Sequence, residues 1–103
     1  MKNAFIKNFL KKATDCLENN RFKLIRRDKN NEFIINKGYT EKEIKAIIKN
    51  LELSNFIKGP EEDKNREHED GEVWIFQKNN IYIKLKLYYK SNKLWLKCIS
   101  FHD

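Results

Sequence analysis

The sequence lacks the short motifs that mark many catalytic and ligand-binding sites. It has no glycine-rich phosphate loop, no pair of carboxylates at catalytic spacing and no Ser/His/Asp arrangement, and its 103 residues include three glycines. The two cysteines, Cys16 and Cys98, lie far apart and form no CxxC pair. We therefore expect two reduced thiols, no metal site and no small-molecule cofactor.

Long apolar runs are absent as well. No stretch is long enough to cross a membrane, and the N-terminus lacks the apolar region and cleavage site of a secretory signal. We expect a protein that has no membrane partner and resides in the cytoplasm. The length predicts one compact domain over residues 1–103.

Positive charge is what the sequence has in excess. The net charge is +7, but the segment from Lys58 to Glu72 holds seven acids against three bases, which leaves +11 on the rest of the chain. A body this basic favours a polyanion such as nucleic acid, or an acidic protein, as its partner.

The N-terminal part is predicted to be mostly helical. Apolar residues recur at three- and four-residue spacing, which predicts a helix over 3–19. Residues 22–25 form a short strand candidate. The segment 29–37 is ambiguous between helix and strand, and we favour a short helix closed by Gly38.

The clearest local signal is a capping box. Thr40 and Glu43 precede apolar residues at i, i+3, i+4 and i+7, which predicts a helix over 41–51. The polar stretch 59–71 follows and is expected to be an exposed loop. His68 and the acids of this loop lack the spacing of a cation-binding loop, so we expect them to be solvated.

Three aromatic and β-branched runs end the chain. They read VWIF, IYIKLKLYY and LWLKCISF, separated by turn-forming residues, and predict a three-stranded antiparallel meander. The predicted fold class is therefore α+β: helix, strand, two helices and the meander, with the helices on one face of the sheet. In the middle run, alternation places Tyr82, Lys84, Lys86 and Tyr88 on the open, solvent-exposed face.

The last run is ambiguous because neither of its faces is purely apolar. If Ile99 and Phe101 face the core, then Ser100 and His102 share the open face with the tyrosines and lysines. A β-bulge could reverse that arrangement.

Several blocks in fixed order resemble a known family. RDKN at 27–30, LELSNFIKGP at 51–60, EVWIF, IYIKLKL and CISFH are similar to the toxins of the motility quorum-sensing regulator (MqsR) family of toxin–antitoxin systems. The resemblance implies a RelE-like ribonuclease fold, cleavage of messenger RNA without a metal, and inhibition by a cognate antitoxin. The basic charge predicts that this antitoxin is acidic.

The resemblance also implies catalytic residues. Lys58 matches a family lysine, Tyr82 matches the active-site tyrosine, and His102 stands where the best-known branch has a terminal lysine. The catalytic glutamine of that branch has no counterpart in the sequence, since Gln77 lies several residues away.

These residue types suit metal-free RNA cleavage, which needs a proton acceptor, a proton donor and cations at the phosphate. We expect His102 to act as general acid or base, Tyr82 to position or protonate, and Lys58 with Lys84 to hold the scissile phosphate. Lys84, Lys86 and Arg27 are the predicted RNA-binding residues.

Two other functions stay open at this stage. A non-catalytic RNA-binding module is favoured if His102 points toward the core. A degenerate toxin that serves as a protein-interaction domain would keep the fold without turnover.

Overall fold

Three α-helices form where the sequence predicts them. The structure is a computed structural model that describes residues 2–62 and 71–103. Its helices are α1 (Lys2–Glu18), α2 (Asp28–Lys37) and α3 (Glu41–Lys49). Segment 29–37 is therefore helical, and Gly38 ends α2 in the left-handed conformation, with φ of 73°, which glycine adopts without steric cost.

The predicted capping box begins α3. The Thr40 hydroxyl accepts a hydrogen bond from the main-chain N–H of Glu43, at 3.1 Å. In return, the Glu43 carboxylate accepts the main-chain N–H of Thr40, at 2.9 Å. These two bonds satisfy donors that have no partner inside a helix, so the local sequence alone determines where α3 starts.

The described strands form one five-stranded sheet. They are β1 (Phe22–Leu24), β2 (Phe56–Glu62), β3 (Glu72–Lys78), β4 (Ile81–Lys90) and β5 (Lys93–His102), in the order β1-β5-β4-β3-β2. β1 runs parallel to β5, and the other neighbours are antiparallel. The α+β class and the β3-β4-β5 meander are confirmed.

Strand β2 corrects the predicted loop. The expectation of a loop from residue 59 is wrong for 59–62, which pair with β3 as part of an edge strand. An edge strand has one neighbour and one solvated side, so it tolerates the polar residues and the proline that hid it in the sequence. Residues 63–70, including His68, lie outside the described residues.

Gly59 allows β2 to approach β3 closely. Its φ is 141°, and a Cβ atom at this position would lie 3.0 Å from the main-chain Cα of Trp74. A larger side chain here would clash with the β3 backbone or push β2 away from it.

Both hairpins of the meander use two-residue turns. Asn79 and Asn80 have φ of 53° and 64°, and Ser91 and Asn92 have φ of 52° and 64°. Two consecutive positive φ values are what a type I′ turn requires, and Asn adopts them at little cost. The turns therefore fix the register of the strand residues nearest to them.

The core lies between the helices and one face of the sheet. Ile44 from α3, Ile83 from β4 and Phe101 from β5 are all fully buried there. Burying an aliphatic or aromatic side chain of this size stabilises a fold by about 1.5–3 kcal/mol. We call the opposite face, which carries Tyr82 and Lys84, the outer face.

Both cysteines are free and buried, as the sequence predicts for reduced thiols. Burial raises the pKa of Cys98 to about 12, and burial also raises the pKa of Cys16. Both thiols therefore stay protonated at neutral pH, which excludes them as thiolate nucleophiles.

Candidate active site on the outer face

Tyr82 and His102 lie side by side on the outer face. They are directly opposite each other in the β4–β5 ladder, and their rings stack with centroids 5.3 Å apart and an interplanar angle of 26°. The exposed fraction of His102 is 7%. The histidine is therefore held against the tyrosine ring rather than moving freely in solvent.

A β-bulge at Ile99 puts His102 on this face. Ser100 pairs with Lys84, but Cys98 pairs with Leu85, so Ile99 has no partner in β4. The extra residue lets Cys98 and Phe101, three positions apart, both face the core. The sequence left this strand ambiguous; the bulge places Ser100 and His102 on the outer face, not in the core.

The hydrogen bonding of His102 defines its neutral form. Its Nδ1 lies 2.9 Å from the main-chain oxygen of Asp103. A main-chain oxygen can only accept, so Nδ1 carries the proton and neutral His102 has its lone pair on Nε2. No hydrogen bond to Nε2 is found among the described residues, and none of their buried side-chain nitrogens lacks a partner. Nε2 is therefore the ring nitrogen that can accept a proton when His102 is neutral.

Positive charge lies in the next row of the sheet. Ser100 and Lys84 pair two residues further along β5 and β4, which corresponds to about 7 Å. The Arg27 guanidinium, from the residue that precedes α2, donates a hydrogen bond to the buried Ser100 hydroxyl. Ser100 thereby holds Arg27 beside Lys84 and near His102.

Lys58 lies in the same row. It pairs with Ile75 of β3, and Ile75 pairs with Lys84. The Lys58 ammonium is 3.5 Å from the Glu61 carboxylate, with side-chain exposures of 59% and 42%. An ion pair this exposed is worth little, so a phosphate could replace Glu61. The structure thus brings five predicted residues to one part of the outer face: Arg27, Lys58, Tyr82, Lys84 and His102.

Lys86 differs from the expectation. The sequence placed it on a solvent-exposed surface, but its side chain is fully buried and engaged in an interaction within the chain. Its Cε would lie 2.9 Å from a Cβ added at Gly71, so the lysine stem fills the space beside that glycine. Tyr88, also expected in solvent, is 6% exposed. Tertiary packing around the outer face, invisible to strand alternation, buries both side chains.

Gln77 lies in the candidate site, although the sequence did not place it there. It is exposed and lies directly opposite Tyr82 in the β3–β4 ladder, so Gln77, Tyr82 and His102 form one row across three strands. The Asn79-Asn80 turn indicates in the sequence that Gln77 lies opposite Tyr82. A two-residue turn there pairs Lys78 with Ile81, and the next pair is Gln77 with Tyr82.

Residues 2–62 and 71–103 contain no group of three or more His, Cys, Asp or Glu side chains placed to hold a metal ion. Across these same residues, no helix is long and apolar enough to span a bilayer.

Comparison with known proteins identifies the family. The family model for the motility quorum-sensing regulator, toxin of MqsA, matches residues 7–103. The chain belongs to this toxin family. It is thus a toxin of a toxin–antitoxin system, and the family implies an antitoxin partner. Searches among curated proteins and among solved structures gave no match.

Proposed function

We propose that this toxin is a metal-independent endoribonuclease that cleaves messenger RNA in the cytoplasm. The observation that carries the proposal is the His102 ring stacked on Tyr82, with Nδ1 bonded to the main chain and with cations from three parts of the chain in the next row of the sheet. A proton acceptor beside cations is the arrangement that cleavage by the RNA 2′-hydroxyl requires.

The proposed reaction is an internal transfer within the RNA. His102 Nε2 takes the proton of a 2′-hydroxyl, and the 2′-oxygen bonds to the adjacent phosphorus while the bond to the 5′-oxygen breaks. The products are a 2′,3′-cyclic phosphate and a 5′-hydroxyl. The leaving 5′-oxygen takes a proton from the Tyr82 hydroxyl or, if Tyr82 only positions the ribose, from water.

Three cations stabilise the charge that grows on the phosphate in this proposal. Lys84 is partly exposed beside Ser100, Arg27 is held by the Ser100 hydroxyl, and Lys58 sits across β3 in the same row. We leave Lys86 out of the phosphate contacts because its side chain is fully buried. Positioned charges act strongly here because they need no rearrangement during the reaction.

The test is incubation of the purified toxin with a defined single-stranded RNA in EDTA, followed by mapping of the product ends. We expect 2′,3′-cyclic phosphate or 3′-phosphate ends, with cleavage lost in His102→Gln and kept in Lys93→Ala, a control at an exposed residue at the opposite end of β5 from His102. Intact RNA at high toxin excess would contradict it and would favour a protein-interaction domain without turnover.

We further propose that the antitoxin presents an acidic surface to this toxin, because the toxin carries a net charge of +7 and complementary charges speed and orient association. Added salt should then weaken the complex. A basic partner whose affinity rises with salt would contradict this proposal.

A further inference from the structure

The buried side chain of Asn30 joins three parts of the backbone. Asn30 lies in the first turn of α2 and is fully buried. Its Nδ2 donates hydrogen bonds to the carbonyls of Ile25 and Ile99, each at 2.9 Å. Its Oδ1 accepts the main-chain N–H of Phe101 at 3.0 Å. The amide therefore uses its donors and its acceptor on main-chain groups.

Two of these bonds are the ones that a neighbouring parallel strand would make with β5. β1 pairs with β5 only as far as Cys98. Beyond that point, the edge of β5 that faces away from β4 has no strand beside it among the described residues. In a parallel ladder, the residue opposite Ser100 would donate to the carbonyl before Ser100 and accept from the N–H after it. The Asn30 amide makes this pair of bonds, to Ile99 and Phe101.

The same two bonds lie on either side of Ser100, directly after the bulge. Ile99 is the bulged residue, and Ser100, between the two bonded groups, is the first residue after it to face outward. A slip of one residue at this point would turn Ser100 and His102 toward the core and Phe101 outward. His102 would then lose its contact with Tyr82.

We propose that Asn30 is a positioning residue of the active site, which holds the Ile99 bulge and thereby keeps His102 on Tyr82 and Ser100 on Arg27. This inference rests on the proposed function as far as cleavage is concerned. The geometric part, that Asn30 places the His102 ring, stands apart from it.

The experiment compares Asn30→Ala with Ile48→Ala, a buried α3 residue whose side chain is apolar and forms no hydrogen bonds. Both variants lose stability, so they are studied at a temperature where circular dichroism shows each folded. We expect Asn30→Ala to slow single-turnover cleavage at saturating RNA at least tenfold while RNA affinity changes less than threefold. Ile48→Ala should keep the wild-type rate.

NMR supplies a readout that needs no activity. The His102 ring protons, assigned by their loss in His102→Gln, should show the shifts of a ring stacked on Tyr82 in the wild type and in Ile48→Ala. In Asn30→Ala they should move toward unstacked values. If the wild type does not cleave RNA, the proposed function fails, but this arm still decides the positioning role.

If Asn30→Ala does not fold, the wild-type protein still tests the proposal. The Asn30 side-chain amide protons and the Phe101 main-chain N–H should exchange slowly with solvent, as buried and bonded groups do. Fast exchange of both groups, or an unchanged His102 ring and cleavage rate in folded Asn30→Ala, would overturn the positioning role.

Discussion

Replacing Lys84 by alanine should weaken RNA binding, whereas replacing Lys86 by alanine should lower the stability of the fold. The two side chains differ in this way although both lie on the outer face of β4. Lys84 is partly exposed and Lys86 is fully buried. Lys84→Ala should change the free energy of unfolding by no more than about 0.5–1 kcal/mol, as is usual for a surface position. Lys86→Ala deletes three buried methylenes and the ammonium, and should cost about 2–4 kcal/mol.

The salt dependence of RNA binding should change in Lys84→Ala and stay the same in Lys86→Ala. If Lys84 contacts a phosphate, its loss should flatten the slope of log affinity against log salt by about 0.7, the value for one contact on a single strand. Lys86→Ala should leave that slope unchanged under conditions where the variant is folded.

Urea unfolding and RNA titrations at several salt concentrations measure both quantities. Lys86→Met is the matched control, because it keeps most of the buried stem without the charge; a stability near that of wild type would assign the cost of Lys86→Ala to packing. Equal stability losses at both lysines, or a flattened slope only in the Lys86 variant, would refute the assignment of Lys84 to the surface and of Lys86 to the interior.

Four further predictions concern single residues. His102→Gln should slow single-turnover cleavage by roughly two to four orders of magnitude, and His102→Lys should keep more activity than His102→Gln does; cleavage by His102→Gln at the wild-type rate would refute the catalytic role. Tyr82→Phe should slow cleavage less than His102→Gln does, and equal losses would make its hydroxyl the proton donor. Glu61→Gln should tighten RNA binding by freeing Lys58 from its ion pair, whereas an unchanged Kd would place Lys58 away from RNA. Hydrogen bonds from Thr40 lower the pKa of Glu43, so its stabilisation is present above the ordinary carboxyl pKa and is lost as pH falls through the lower folded-state value. The difference in Tm between wild type and Glu43→Gln should therefore shrink from pH 7 to pH 3.

The features that the sequence predicts well are those determined by neighbouring residues. The capping box of Thr40 and Glu43 and the end of α2 at Gly38 need only local hydrogen bonds and local backbone conformation. The outward position of Tyr82 and Lys84 follows from strand alternation alone. The catalytic role of Tyr82 came from the resemblance to the toxin family, and Lys84 was assigned to the phosphate because metal-free RNA cleavage needs cations there; both roles remain predictions.

The features that the sequence does not predict depend on distant contacts. Strand β2 exists because β3 lies beside it, and its own residues are too polar to indicate a strand. The burial of Lys86 depends on what packs against the outer face, including the backbone at Gly71. Neither can be read from the local periodicity of residues.

The position of His102 shows how a candidate catalytic group can depend on such a contact. Alternation alone would place His102 on the same face as Leu96 and Cys98, which are both buried in the core. The bulge at Ile99 reverses this, and the side chain bonded at the bulge belongs to Asn30, 69 residues earlier in the chain. A protein with the same β5 residues but no amide at position 30 would therefore keep the histidine in its sequence and could lose it from the site. If this toxin cleaves RNA and Asn30 holds the bulge, as proposed, then a substitution in α2 at Asn30 should slow cleavage without touching the residues proposed to contact the RNA.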